Sequence, residues 1–144
     1  MLREESGVGL QGVPLPRGRA LVVDQNRKDL QAYTETLRRV GFEVKPFTSY
    51  QEASLYLEEE TPDFVFVNQG TPAFEARGFV ARALAQNRHT PVVVLAQSLH
   101  MECYLEAMQL GAVDYVEKPL ASAEVEHLVT TYWQPRMAAW PNTA

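Results

Sequence analysis

The sequence predicts an α/β domain in which a parallel sheet is covered by helices on both faces. Three observations predict it: five short apolar runs, a helical pattern after each run, and runs that are apolar at consecutive rather than alternate positions. Strands that are buried on both faces are typical of parallel sheets, and strand–helix alternation is the pattern of such folds. A length of 144 residues suits one domain with its own core.

The five predicted strands are short, mostly valine-rich runs bounded by polar, glycine or proline residues. Each is too short for a helix, and several are apolar throughout, as buried strands are. They cover residues 20–23, 42–46, 64–67, 91–95 and 113–116.

Apolar residues recur at helical spacing in the segments between and after these runs, which predicts five helices. Asn26 and Ser49 precede the first two helices and can accept hydrogen bonds from their free N–H groups. Gly41 and Gly111 end the first and fourth helices. The apolar faces are marked by Leu30, Tyr33, Leu37 and Val40; Ala53, Tyr56 and Leu57; Phe79, Val80, Ala83 and Leu84; Met101, Leu105 and Met108; and Val125, Leu128, Val129 and Tyr132.

The two ends of the chain lack this pattern. Residues 1–18 hold five glycines or prolines before Gly18 and no periodic apolar face, so we expect a flexible arm. We place the domain at residues 19–133 and a tail or linker at 134–144, where Pro135 and Pro141 oppose a continued helix. Trp140 in that tail either folds back onto the domain or serves a partner.

Composition excludes several classes of function. A net charge of −5 argues against direct nucleic-acid binding by this domain. The lone Cys103 excludes an internal disulfide and a cysteine zinc site. No apolar run is long enough to span a membrane and no secretory signal opens the chain, so we expect a cytoplasmic protein. The first strand is not followed by a Gly-x-Gly-x-x-Gly motif, so a dinucleotide site has no support.

Polar residues follow the predicted strands at the edge where parallel α/β sheets bind their ligands. The residues at these strand ends are Asp24 and Gln25; Asn68; Ala96, Gln97 and Ser98; and Lys118 with Pro119.

With these strand ends, the chain resembles the receiver domain of two-component response regulators. The matching segments are residues 21–26, 64–72, 91–97 and, above all, 110–120 (LGAVDYVEKPL). The resemblance implies a doubly wound, flavodoxin-like three-layer sandwich of the (βα)5 type, with strand order 2-1-3-4-5. It also implies a lysine–proline bond that is usually cis.

Receivers of this family accept a phosphoryl group from a histidine kinase on an aspartate that ends the third strand. By resemblance, Asp24 fits the first of two acidic positions that help to hold Mg²⁺, Lys118 fits the lysine that contacts the phosphoryl group, and Tyr115 fits the aromatic switch position. Three positions depart from the pattern: Gln25 replaces the second acid, Asn68 replaces the phospho-acceptor aspartate, and Ala96 replaces a serine or threonine.

These departures predict a degenerate phospho-site. An amide is not a nucleophile toward phosphorus, so Asn68 cannot form an acyl phosphate. The charges of Asp24 and Lys118 cancel, so we expect Mg²⁺ binding to be lost and no other cofactor to be needed. We expect Asp24 and Lys118 to form an ion pair, with Asn68 hydrogen-bonded to one or both. Retained binding of a metal or small anion at Lys118 is the alternative.

The leading functional hypothesis is therefore a pseudo-receiver, which is not an enzyme and acts by binding a protein. The partner would be a histidine kinase, another regulator or a second copy of the chain in a homodimer. In the family such contacts involve the fourth helix, fifth strand and fifth helix. Here this surface includes Met101, Tyr104, Met108, Tyr115 and the exposed face of residues 124–132, although Tyr115 could equally pack in the core. The alternatives are a phosphorylation-competent regulator, the N-terminal regulatory domain of a transcriptional regulator, and a small unrelated enzyme.

Overall fold

The computed structural model describes residues 17–134, which form a five-stranded parallel sheet with order β2-β1-β3-β4-β5. The predicted fold class and strand order are confirmed. The strands are β1 (Gly18–Val23), β2 (Phe42–Phe47), β3 (Phe64–Asn68), β4 (Val92–Ala96) and β5 (Asp114–Glu117). The helices are α1 (Arg27–Arg39), α2 (Tyr50–Leu57), α3 (Arg77–Gln86), α4 (Met101–Leu110) and α5 (Ser122–Tyr132).

Alternate residues of the central strands enter two separate cores, one on each face of the sheet. Val65 and Val67 of β3 pack in the core under α2, α3 and α4, whereas Phe64 and Phe66 pack in the core under α1 and α5. This alternation follows from the two-residue period of a strand. It explains why the runs had to be apolar at consecutive positions.

Local signals set most of the element boundaries as predicted. The side chains of Asn26 and Ser49 accept hydrogen bonds from backbone N–H groups at the starts of α1 and α2. Gly111 ends α4 with φ +112°, a left-handed conformation that favours glycine.

Two strands begin and end one residue later than the sequence indicated. The ladder pairs Ala96 with Glu117, which extends both β4 and β5. The start of β1 is earlier, since Gly18 pairs with Phe42 and the Arg17 N–H donates to the Gly41 carbonyl. The rest of the predicted arm and tail, including Trp140, lies outside the described residues.

Helix α4 presents a different face to the core from the one that its large apolar residues suggested. Cys103 and Ala107 are buried, whereas Met101 and Leu105 are exposed and Met108 is half-buried. Small side chains let α4 pack closely on the sheet, so hydrophobicity alone did not identify its inner face.

Candidate functional site

The carboxyl edge of the sheet brings four of the predicted site residues to one place. Asp24 directly follows β1, Asn68 ends β3 and Ala96 ends β4, while Lys118 directly follows β5. Because all five strands are parallel, their carboxyl ends lie at the same edge. Gln25, the fifth member of the predicted site, is exposed beside Asp24.

Lys118 and Asp24 form a buried ion pair at this edge. The Lys118 Nζ lies 2.8 Å from Asp24 Oδ2, and the two side chains are only 5% and 1% exposed. The other oxygen of Asp24 accepts a hydrogen bond of 2.9 Å from the Asn26 N–H. Both carboxylate oxygens of Asp24 are thus hydrogen-bonded within the protein. The geometry agrees with the predicted pair.

Asp29, in the first turn of α1, is a second carboxylate partner of Lys118 that sequence analysis missed. Its Oδ2 lies 2.7 Å from the Lys118 Nζ, and its side chain is 30% exposed. Two carboxylates and one ammonium leave a net charge of −1, so the expected cancellation of charge is wrong. Burial disfavours the ammonium, but hydrogen bonds to Asp24 and Asp29 outweigh it, and the pKa of Lys118 is raised.

Asn68 connects the ion pair to the neighbouring loop through both ends of its amide. Its Oδ1 accepts a long hydrogen bond of 3.5 Å from Lys118, and its Nδ2 donates to Gln25 Oε1 at 3.0 Å. The Tyr50 hydroxyl donates to the Asn68 carbonyl at 2.6 Å. The ammonium of Lys118 has three N–H groups. Their acceptors are Asp24, Asp29 and Asn68.

Ala96 offers no polar group to the site. It is fully buried in the core on the α2–α4 face, where its methyl group packs against apolar neighbours. Gln97 and Ser98 follow in the exposed loop before α4.

Tyr115 points inward, which settles the two orientations that the sequence left open. Its side chain is 7% exposed, and its hydroxyl donates to Gln69 Oε1 and accepts from the His100 N–H at 3.1 Å. Burial raises the pKa of Tyr115. Gln69 is itself buried, and its amide also donates to the Thr71 carbonyl at 3.2 Å. A buried glutamine therefore holds the tyrosine in place.

The remaining predicted interaction residues surround Tyr115 on α4. The Tyr104 ring packs edge-on against Tyr115 with centroids 5.9 Å apart, and Tyr104 is partly exposed. Met108 is half-buried against the core. Cys103 is buried, its thiol lies 3.3 Å from the Pro72 carbonyl, and burial raises its pKa, as suits an unreactive core residue.

Asp29, Gln69 and Tyr50 complete the site, and only Asp29 had a signal in the sequence. Asp29 lies one helical turn before Tyr33 and so shares the inner face of α1. Gln69 and Tyr50 act through contacts with residues far away in the chain, Gln69 with Tyr115 and Tyr50 with Asn68, which no local pattern encodes.

Alkaline pH is expected to destabilise the domain, since two tyrosines and Lys118 hold their protons more tightly in the folded chain, the tyrosines through burial and the lysine through its hydrogen bonds to carboxylates. Burial raises the pKa of Tyr50 to about 12, and the pKa values of Tyr115 and Lys118 are also raised. The unfolded chain loses these protons first, so their contribution to stability is intact below about pH 10 and falls above it. Urea unfolding as a function of pH tests this, and a constant free energy of unfolding up to about pH 11 would contradict it. Tyr50→Phe should flatten the decline.

The part of the chain that the structure describes contains neither a helix able to cross a membrane nor a group of three or more His, Cys, Asp or Glu residues arranged to hold a metal ion.

Comparison with known proteins finds transcriptional regulatory proteins among the relatives. Transcriptional regulatory protein PrrA of Mycobacterium tuberculosis is 31% identical over 114 residues, which cover 79% of this chain and 48% of PrrA. Transcriptional regulatory protein PhoP of Escherichia coli is 29% identical over 107 residues, covering 74% of this chain and 48% of PhoP. This chain therefore spans about half the length of the curated relatives that it matches.

Solved structures agree with the sequence relatives. A response regulator from Thermotoga maritima is 27% identical with a TM-score of 0.67, covering 81% of this chain and 98% of its own. A CheY-like receiver domain protein from Methanospirillum hungatei has the same fold, with a TM-score of 0.73 at 19% identity, covering 81% of this chain and 92% of its own. Residues 20–130 match the family model for the response regulator receiver domain. The chain belongs to the response regulator receiver domain family.

Proposed function

We propose that this receiver domain does not accept a phosphoryl group and acts by binding another protein. The single observation that carries the proposal is the network around Lys118, in which Asp24, Asp29 and Asn68 occupy all three N–H groups of the ammonium. A partner's arrival or concentration, rather than phosphorylation at this site, would then set its output.

The acceptor position lacks a nucleophile. Asn68 ends β3, where the family places its phospho-acceptor aspartate, and the N–H of its amide donates to Gln25. Amide lone pairs are delocalised and do not attack phosphorus, whereas a carboxylate does. The chemistry of this position therefore supports binding and not group transfer.

The side chains at the sheet edge also do not fit the Mg²⁺ that the family implies. Mg²⁺ prefers carboxylate oxygens in octahedral geometry. Here the Asp24 carboxylate is held by an ammonium 2.8 Å away, which opposes a cation at the same place. Gln25 and Asn68 supply only neutral amide oxygens, and both already accept hydrogen bonds. The net charge of −1 does not offset these losses, and we expect no specific Mg²⁺ binding.

The link from the site to the switch tyrosine is replaced by a fixed contact. Ala96 has no hydroxyl to hydrogen-bond a phosphoryl group. A change at Asn68 therefore cannot be passed on to Tyr115 through this position. Tyr115 is instead held inward by Gln69 and the His100 N–H. Such an arrangement supports a single constitutive conformation of the surface around α4.

Treatment with acetyl phosphate tests this proposal. We expect the wild-type chain to remain unmodified by intact-mass spectrometry in the presence of Mg²⁺, because no carboxylate stands at the acceptor position. A receiver with the usual aspartate, treated in parallel, controls for the reagent. Stoichiometric, base-labile phosphate on the wild-type chain would contradict the proposal and support a phosphorylation-competent regulator.

A further inference from the structure

An apolar patch is exposed at the start of α4. It consists of four residues that are 42–69% exposed, here called the α4 patch: Leu99, Met101, Tyr104 and Leu105. A groove of about 420 Å³ runs beside it, and Tyr115 forms part of its wall. Clustered large apolar side chains on a surface mark interaction sites, whereas isolated ones do not.

A second groove lies on the other side of β5, against α5. Its volume is about 510 Å³, with an apolar floor that includes Val116, Leu120 and Leu128. Tyr115 lines the first groove while its neighbours Asp114 and Val116 line the second, so the edge strand β5 separates the two. The α4 patch and the second groove therefore form one extended face.

This face carries charge of one sign. Residues 97–134 contain six carboxylates and one lysine or arginine, Lys118, whose side chain is buried with Asp24; the two histidines, His100 and His127, are counted as neutral at pH 7. Two of the six pair with arginines outside this stretch, Glu106 with Arg77 and Glu126 with Arg39. Within residues 17–134 the other four have no basic partner; they are Glu102, Asp114, Glu117 and Glu124. Three of these four line the second groove.

The negative charge of this face indicates which kind of partner it binds. A two-fold dimer through this face would place carboxylates opposite carboxylates, since such an interface uses the same patch on both copies. A basic partner would instead neutralise them. We propose that this face docks a basic amphipathic segment of another protein, with its apolar side on the α4 patch and its Lys or Arg residues facing Glu102, Glu117 and Glu124. This inference rests on the proposed function and names the chemistry of its partner.

Two synthetic amphipathic helical peptides test the inference on the full chain. They share their leucine and tryptophan positions and differ only in charge, with lysine in one and glutamate in the other. We expect the lysine peptide to shift amide NMR signals of residues 99–105 and 114–124, and to bind at least about tenfold more tightly than the glutamate peptide at low salt. Added salt should reduce the difference.

Variants distinguish peptide binding at this face from nonspecific binding elsewhere on the domain. Glu102→Lys/Glu117→Lys should abolish or reverse the charge preference, and Tyr104→Ala/Leu105→Ala should weaken both peptides. The matched controls lie on α2, where Leu55 is 57% exposed and Glu58 is exposed at the helix end. Leu55→Ala and Glu58→Lys should leave binding unchanged.

The inference is overturned by equal binding of the two peptides, by binding of neither, by shifts confined to another surface, or by sedimentation that shows self-association lost in Tyr104→Ala/Leu105→Ala. Those outcomes leave an inert phospho-site intact. Labelling by acetyl phosphate, in contrast, would contradict the proposed function but would not change the result expected for peptide binding.

Discussion

Replacing Lys118 by methionine is expected to lower the free energy of unfolding by about 3–5 kcal/mol, the usual cost of breaking a buried ion pair by removing one partner. Asp24 is 1% exposed, and the ammonium is its one basic partner among the described residues. Methionine fills similar volume, so the loss would come from the uncompensated charge and not from a cavity. Urea unfolding at neutral pH measures it.

Two comparisons make the Lys118→Met result specific. The double variant Asp24→Asn/Lys118→Met should recover much of the stability, because no buried charge then lacks a partner. Arg77→Met breaks the exposed pair with Glu106 and should lower the stability far less, because exposed ion pairs contribute little. A Lys118→Met variant as stable as Arg77→Met would mean that the buried pair does not form in solution.

Restoring the family's side chains at three positions should restore the chemistry. In the variant Gln25→Asp/Asn68→Asp/Ala96→Thr, the site would hold four carboxylates with Lys118, together with a hydroxyl at the end of β4. Carboxylate oxygens at the ends of β1 and β3 suit Mg²⁺, and an aspartate at position 68 is a nucleophile. We expect saturable Mg²⁺ binding and base-labile labelling by acetyl phosphate, where the wild-type chain shows neither.

Variants that restore only one of the three side chains show which replacement contributes most to the loss of phosphorylation. Asn68→Asp alone supplies the nucleophile without the second acid, so we expect weak labelling at most. Ala96→Thr alone should give none. If the triple variant folds, as judged by its amide NMR spectrum, and still neither binds Mg²⁺ nor accepts phosphate, the three substitutions are not the reason for the inert site.

The sequence predicted the scaffold well because its signals were local or repeated. Consecutive apolar residues in β3 and β4 indicated strands buried on both faces, and Asn26 and Ser49 marked the helix starts. The ion pair of Asp24 and Lys118 was also predictable, since both residues follow strands whose carboxyl ends meet at one edge of the sheet.

The parts of the site that escaped prediction depend on tertiary contacts. An acid in the first turn of a helix, such as Asp29, is stabilised there by the helix dipole in any protein, so its presence did not indicate a role at Lys118. Gln69 reaches Tyr115 across 46 positions in the chain, and its partner depends on how the loop after β3 folds. Helix α4 misled the prediction because its larger apolar residues face outward, which is also what identifies the α4 patch.

Titration of the wild-type chain with Mg²⁺ and beryllofluoride, followed by backbone amide NMR, is the most direct test of whether the phospho-site is inert. Beryllofluoride with Mg²⁺ mimics a phosphorylated aspartate, so the titration addresses the acceptor, the metal ligands and the switch together, and the triple variant serves as the positive control. We expect no shifts at Asp24, Asn68 or Lys118. Saturable shifts at these residues that spread to Tyr115 would contradict it.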